Sequence, residues 1–110
     1  MSGKYEIFLG KDEQFYFHLK AANGEIILAS EGYTQKHNAE NAIESVRVNC
    51  QLENNYVDKT AKDGRFYFVL RADNHEVIGT SQMYQSKQGC ETGKNSVKTN
   101  GLGSMVSDMT

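Results

Sequence analysis

Aromatic and cationic side chains alternate along two short segments of the sequence. In the segment FYFHLK, Tyr16, His18 and Lys20 fall on one face of an extended strand, and the opposite face is apolar. Its echo, FYFVLR, places Tyr67 and Arg71 in the same way. Tyrosines beside cations on an open sheet face can stack the bases of single-stranded nucleic acid or hold a peptide. These five residues are the candidate ligand-binding set.

A purely structural role competes with this interpretation. Tyrosine and lysine are ordinary cross-strand partners on the wet face of an antiparallel sheet, and this reading is the stronger of the two. The net charge of −2 argues against broad attraction to phosphate backbones. We therefore favour a protein or peptide ligand at the open face or at an edge of the sheet. Single-stranded nucleic acid is the alternative.

Catalytic and metal-binding patterns are absent from the sequence. His18 and His37 fall on different predicted elements, and neither lies beside a carboxylate or nucleophile at a diagnostic spacing. Cys50 and Cys90 show no zinc-like spacing, and Cys90 falls on an apolar helix face. No glycine-rich phosphate loop or triad order occurs. We expect a protein that is not an enzyme and that has no cofactor and no metal site.

Three residue types recur at the same place before each predicted helix. They are the pairs Glu25/Glu76, Tyr33/Tyr84 and Lys36/Lys87. A functional interpretation makes them a duplicated ligand pocket near the helix N-termini. A structural interpretation has each tyrosine pack over the start of its helix while the charged residues stay solvated or pair. We favour the structural interpretation.

These residues belong to an internal duplication. Residues 15–49 align without a gap on residues 66–100 when the chain is shifted by 51 positions, and 15 of the 35 pairs are identical. The first copy predicts strands over Tyr5–Leu9, Phe15–Lys20 and Glu25–Ser30, then a helix from about Gln35. Asn23-Gly24 predicts a type I′ hairpin turn with both residues at positive φ. Asn49 is predicted to end the helix with positive φ.

The second copy repeats this plan with a weaker helix. Strands are predicted over Tyr56–Thr60, Phe66–Arg71 and Glu76–Thr80, and the helix begins after Ser86 and ends near residue 100. Gly89, Gly93 and Lys94 interrupt that helix, so we expect it to be shorter, looser or tilted, with Lys94 reaching water. His75 lies at the tip of the second hairpin, where an exposed and strained residue is one interpretation. We favour a simple turn residue, because histidine tolerates positive φ better than most residues.

The fold class that follows is α+β. Two tandem β-β-β-α repeats, about 4–50 and 55–100, related by a pseudo-two-fold axis, build an antiparallel sheet of about six strands with two helices on one face. Residues 1–110 form a single domain with a tail, 101–110, which adds a short edge strand or frays; its terminal position favours fraying. The predicted core is Phe15, Phe17, Leu19, Phe66, Phe68 and Leu70 against Ala39, Ile43, Val46, Cys90 and Val97.

The chain resembles a known family of small bacterial proteins. The strings FYFHLKAANGEIILASEGYTQK and ENAIESVRVN, with their echoes in the second copy, resemble the YegP-like family. The resemblance covers nearly the whole chain and implies an α+β sandwich of β-β-β-α repeats. It implies no activity, because the family has none established.

Compartment and assembly follow from composition. No apolar run approaches the ~20 residues of a membrane helix, and the N-terminus lacks a secretory pattern, so we expect a cytoplasmic protein. The duplication supplies both halves of the sheet in one chain, which favours a monomer. The predicted function is a non-enzymatic protein- or peptide-binding module, and the partner cannot be named from the sequence.

Overall fold

Strands and helices follow the duplication in the computed structural model, which describes residues 3–110. Met1 and Ser2, the first residues of the predicted domain, lie outside the described residues. In chain order the elements are β1 (Lys4–Leu9), β2 (Phe15–Lys20), β3 (Ile26–Ala29), α1 (Lys36–Asn49), a 3₁₀ helix (Glu53–Asn55), β4 (Tyr56–Thr60), β5 (Phe66–Arg71), β6 (Val77–Thr80), α2 (Lys87–Gly101) and β7 (Met105–Asp108). Neither α1 nor α2 has the length and hydrophobicity that crossing a bilayer requires.

The strands form one mixed sheet in the order β4-β5-β6-β3-β2-β1-β7. Neighbouring strands are antiparallel except β1 and β7, which run parallel. The predicted antiparallel sheet of about six strands is therefore wrong in strand number and in direction at one edge. The seventh strand comes from the tail, where the Met109 N–H donates to the Ile7 carbonyl 2.8 Å away. Because α2 separates β7 from the rest of the sheet, no hairpin forces antiparallel pairing.

The two repeats join through their third strands. Ala29 in β3 pairs with Thr80 in β6, so the two three-stranded meanders meet edge to edge as predicted. Both helices cover the same side of the sheet, and one apolar cluster includes residues from both repeats. Each repeat therefore completes the core of the other, which explains why a single unit would be marginal.

Most of the predicted core is buried. Phe17, Leu19, Phe68 and Leu70 are each at most 1% exposed, and the predicted helix residues lie in the same cluster. Phe15 and Phe66 are only half-buried and pack against the rim of this cluster. These two residues begin β2 and β5 at the end of the sheet. On one side they pair with the last residues of β1 and β4, and on the other side only with single residues, Tyr33 and Tyr84, before the helices.

The first hairpin does not use the predicted turn. Gly24 has φ of +85°, but Asn23 is not among the described residues with positive φ, so the turn is not type I′. The Gly24 N–H donates to the Ala21 carbonyl, and pairing shifts between Leu19 and Lys20. A longer loop with one left-handed glycine and a bulge therefore replaces the two-residue turn.

The second helix is also not shortened by its glycines. It has 15 residues, against 14 in α1. A Cβ atom on Gly93 would lie 2.2 Å from the Tyr84 hydroxyl oxygen, so glycine at this position allows the tyrosine to pack against the helix. Lys94 is only 6% exposed, and its Nζ lies 2.5 Å from Asp58 Oδ1 and 3.3 Å from Glu91 Oε2. The expected contact with water is replaced by an ion pair at the rim of the core.

The asparagines at the helix ends act through their side chains. Asn49 is the last residue of α1, and Cys50 after it has φ of −64°, so the expected cap with positive φ is wrong. Asn49 Oδ1 accepts a hydrogen bond of 2.6 Å from Asn55 Nδ2. In the second repeat, Asn100 Oδ1 accepts one of 2.9 Å from the Gly3 N–H. Each asparagine thus ties the end of a helix to the segment that enters β4 or β1.

Candidate functional site

The five candidate residues lie on the face of the sheet opposite the helices, called here the open face. Tyr16, His18 and Lys20 stand on β2, and Tyr67 and Arg71 stand on β5. Strands β3 and β6 separate these two groups, which places them about 14 Å apart at the usual strand spacing. The open face therefore carries two separate groups rather than one compact site.

A buried carboxylate organises the group on β2. Glu6, on β1, is only 5% exposed although it lies on the open face. Its Oε1 lies 2.6 Å from His18 Nε2 and 3.0 Å from Lys20 Nζ, and Lys4 Nζ is 3.3 Å from its Oε2. The hydrogen bond from His18 lowers the pKa of Glu6 to about 2 against the opposing effect of burial, with Lys20 and Lys4 adding to it.

Sequence reasoning missed Glu6. Its position between Tyr5 and Ile7 in YEIFL was a usable signal, because strand alternation turns it away from the core that those two residues enter. What the sequence does not contain is the register that sets Glu6 opposite His18. The candidate binding residues His18 and Lys20 are consequently occupied by an internal partner.

Tyr16 is also engaged within the molecule. Its hydroxyl donates a 2.5 Å hydrogen bond to Asp12 Oδ2, and its ring stacks on Phe8 with the ring centroids 5.9 Å apart. Phe8 in turn lies 4.9 Å from the His18 ring. This side of the open face is therefore a packed cluster of aromatic and charged side chains.

The second repeat fills the same positions with apolar residues. Val57 and Val69 stand 51 positions after Glu6 and His18, and they face each other in the same register. The fold therefore does not need a polar pair at this position. Because position 57 has no carboxylate, Arg71 lacks the acidic neighbour that Glu6 provides for Lys20. The buried Nε of Arg71 has no hydrogen-bond partner within residues 3–110.

The two edges of the sheet also differ between the repeats, because the described part of the chain covers only one of them. Beside β1, strand β7 covers the edge, and Asp108 forms an ion pair with Lys36 at the start of α1. The hydrogen bond from Lys36 holds the pKa of Asp108 well below its usual range. Beside β4, residues 3–110 provide no such strand. A cavity of about 350 Å³ lies there instead, lined by Asp58, Lys59, Thr60, Phe66, Tyr67, Lys87, Cys90 and Glu91.

The residues that recur before each helix are not gathered into one pocket. Glu25 lines a groove of about 480 Å³ with Tyr84, and Glu76 lines one of about 520 Å³ with Tyr33, so each groove combines the two repeats. Tyr84 packs against glycines in the first two turns of α2, in agreement with the structural interpretation. The lysines Lys36 and Lys87 line neither groove.

Neither cysteine is arranged as a nucleophile. Cys50 and Cys90 are free thiols, and both are buried. Burial raises the pKa of both thiols, which disfavours the reactive thiolate. The Cys50 carbonyl instead accepts a 2.7 Å hydrogen bond from the Tyr56 hydroxyl, so this segment has a structural role at the end of α1.

Comparison with known protein sequences identifies a family. The model described as "Domain of unknown function (DUF1508)" matches residues 11–56 and 61–108, one match in each repeat. The UPF0339 protein YegP of Escherichia coli strain K12 is 53% identical over 110 residues, and the alignment covers 100% of both chains. A UPF0339 protein of Shewanella oneidensis is 48% identical over 110 residues, again covering 100% of both chains.

Solved structures agree with this assignment. The solution NMR structure of YegP from E. coli, a protein of unknown function, matches with a TM-score of 0.95 at 53% identity and covers 100% of this chain and 95% of that chain. The solution NMR structure of the UPF0339 protein from S. oneidensis matches with a TM-score of 0.94 at 48% identity, covering 100% and 93%. The predicted resemblance is confirmed: the chain belongs to the DUF1508 family and to its YegP-like UPF0339 proteins, whose function is unknown.

Proposed function

We propose that the protein is a non-enzymatic binding module that takes up an extended peptide segment as an additional strand beside β4. The observation that carries this proposal is the contrast between the two edges of the sheet. The molecule itself covers the β1 edge with β7, while the related β4 edge has a cavity and no strand from residues 3–110 beside it. Addition of a strand to a sheet edge is a common mode of peptide recognition.

The pairing of β7 with β1 predicts how a ligand strand would pair with β4. Strand β7 runs parallel to β1 from the pair Lys4/Met105 to the pair Ile7/Asp108. The positions related to residues 4 and 7 by the repeat are Asn55 and Asp58. An incoming segment would therefore run parallel to β4, with its fourth residue beside Asp58.

The charge at the β4 edge favours an acidic residue in the ligand. Lys87 corresponds to Lys36, the residue that pairs with Asp108 on the other side. Lys87 forms no ion pair within residues 3–110, and its Nζ lies 5.9 Å from the centre of the Phe66 ring. Asp58, which would otherwise repel an acidic ligand, is paired with Lys94. The charges of Lys87 and Asp58 also discourage pairing of β4 with a strand whose charges do not complement them.

The edge is a better candidate than the open face. Tyr16, His18 and Lys20 already have partners within the chain. Binding of single-stranded nucleic acid through Tyr16, Tyr67 and the open-face cations is the alternative, and a separate titration with an oligonucleotide tests it. The duplication supplies both halves of the core, so we also propose that the module acts as a monomer, which light scattering would check.

The test uses the protein's own tail as a probe. A capped peptide of sequence GSMVSDMT, residues 103–110, is titrated into ¹⁵N-labelled protein. We expect amide shifts along β4 and the first turn of α2. We expect binding to weaken about two- to fivefold with Lys87→Gln, the range of an exposed ion pair. Replacing the peptide aspartate by asparagine should weaken it similarly, and Lys62→Gln, on an exposed turn, is the matched control.

The contrary outcomes are specific. Shifts confined to β1 and β7 would mean that the peptide only displaces the tail, and the β4 proposal would be wrong. Shifts of Tyr16 and Tyr67 with a mixed single-stranded oligonucleotide, steeply weakened by salt, would support nucleic-acid binding instead.

A further inference from the structure

We infer that a second binding site, for a single carboxylate group, lies around Arg71 at the base of the β5–β6 hairpin. A pocket of about 230 Å³ opens there, lined by Asn54, Asn55, Arg71, Ala72, Asp73 and His75. The lining provides a guanidinium, the Asn54 side-chain amide and an imidazole, which are donors suited to an oxyanion. The Asn55 amide already donates to Asn49 and Asp73. The site involves no residue of the β4 edge cavity, and it stands whether or not a peptide binds that edge.

Arg71 differs from the other two arginines of the chain. Arg47 Nε donates to Glu44 Oε2 at 3.1 Å, and Arg65 Nε donates to Asp63 Oδ2 at 2.8 Å. Arg71 Nε is buried and has no hydrogen-bond partner within residues 3–110. A buried donor without a partner is costly in a folded protein, and a bound acceptor is one way to satisfy it.

The first repeat shows which acceptor fits this position. Lys20 is the counterpart of Arg71, and its Nζ lies 3.0 Å from the Glu6 carboxylate. The counterpart of Glu6 is Val57, so the second repeat retains the cation without the built-in carboxylate. A carboxylate from outside the chain would restore beside Arg71 the interaction that Glu6 provides beside Lys20.

The walls of the pocket carry polar residues that the hairpin itself does not require. His75 has φ of +71°, whereas its counterpart in the first repeat is Gly24, which adopts φ of +85° without strain. Asn54 and Asp73 correspond to Gly3 and Ala22. A strained histidine where glycine would fit is the kind of outlier that marks a functional position.

The negative charge of Asp73 disfavours ligands that carry more than one negative charge. Asp73 Oδ1 accepts a 3.2 Å hydrogen bond from Asn55 Nδ2, and its negative charge lies on the pocket wall. The Asp73 carboxylate repels a doubly charged phosphate more strongly than a singly charged carboxylate at the same distance. The site should therefore prefer acetate to inorganic phosphate.

The arginine Nε–Hε signals of ¹⁵N-labelled protein provide the test. We expect sodium acetate to move the Arg71 signal, identified by its loss in Arg71→Lys, and to leave the Arg47 and Arg65 signals in place. Inorganic phosphate should bind more weakly, and chloride at equal ionic strength should have no site-specific effect. Asp73→Asn should strengthen acetate binding about two- to fivefold by removing a like charge, and His75→Gly should weaken it within the same range.

His75→Gly also guards against a folding artefact, because glycine relieves strain at this turn and the variant should fold at least as well as the parent. An Arg71 signal that does not move with acetate in the folded protein would overturn the inference. So would an equal shift of all three arginine signals, which indicates general screening. Tighter binding of phosphate than of acetate would overturn the assignment to a carboxylate.

Discussion

His18 and Glu6 face each other on adjacent strands, with His18 Nε2 2.6 Å from Glu6 Oε1, at a place where the second repeat has two valines. The second repeat therefore shows a natural substitution of Glu6 and His18, by Val57 and Val69. One backbone arrangement accommodates a hydrogen-bonded polar pair in one copy and an apolar pair in the other.

The first prediction concerns this pair. Glu6→Val alone leaves His18 and Lys20 without their acceptor and should lower the free energy of unfolding by about 1–3 kcal/mol. The double variant Glu6→Val/His18→Val should lie within about 1 kcal/mol of the parent, because a well-packed apolar pair can replace a buried hydrogen-bonded one. Urea unfolding of both single variants and the double variant measures the coupling. A double variant as unstable as the sum of the single ones would contradict the prediction.

The second prediction concerns pH. The pKa of Glu6 is about 2 in the folded protein against an ordinary value of 4.5. A carboxyl whose folded pKa is depressed stabilises the fold above its unfolded pKa, and that contribution is lost as the pH falls from 4.5 towards 2. The parent should therefore lose more stability over this interval than Glu6→Gln, which cannot titrate at this position. The prediction would be refuted if the free energy of unfolding fell equally with pH in the two proteins across this interval.

A third prediction concerns two strained turn residues. Glu13 has φ of +65° and His75 has φ of +71°, while their repeat counterparts are Gly64 and Gly24. Glu13→Gly and His75→Gly should each raise the free energy of unfolding by about 0.5–1 kcal/mol, because glycine adopts positive φ without a steric penalty. The reverse change, Gly24→Ala, should destabilise by about 1 kcal/mol or more. Thermal unfolding of the three variants gives the signs directly, and a loss of stability in either glycine variant would show that the native side chain makes compensating contacts.

The fourth prediction compares two glycines of α2. Gly93→Ala should destabilise the protein by about 1–3 kcal/mol, because the new Cβ would lie 2.2 Å from the Tyr84 hydroxyl oxygen in a packed region. Gly89→Ala is the matched control. Its Cβ would lie 3.3 Å from Ser86 Oγ, a contact that a shift of a few tenths of an ångström relieves. Alanine's higher helix propensity should offset that shift and make the change neutral or mildly stabilising. Equal effects of the two changes in urea unfolding would mean that Tyr84 moves aside without penalty.

Much of the architecture could be predicted because its signals are local. Alternation in FYFHLK and FYFVLR specifies which face of β2 and β5 enters the core, and Phe17, Leu19, Phe68 and Leu70 are buried as predicted. The three-and-four spacing from Ala39 to Val46 specifies the apolar face of α1. The duplication then implies that a second unit repeats the first, and the two DUF1508 matches confirm this organisation.

Local signals were less reliable for the turns and helix ends. The predicted I′ turn at Asn23-Gly24 was wrong because an additional residue and a bulge relieve Asn23 of positive φ. The expected shortening of α2 and the expected exposure of Lys94 to water were wrong, because Gly93 makes room for Tyr84 and Lys94 forms an ion pair with Asp58. Both outcomes depend on partners that lie far away in the sequence or on the opposing strand.

The sequence by itself determined the repeat, which follows from the match between the two copies, and the elements and apolar faces, which depend on residues within a few positions of one another. The tertiary structure alone decided the relationships between distant residues. These include the pairing of β3 with β6, the parallel addition of β7 to β1, the partnership of Glu6 with His18, and the lack of one for Arg71. Strand order and register decide them, because shifting a strand by one residue moves every side chain to the opposite face.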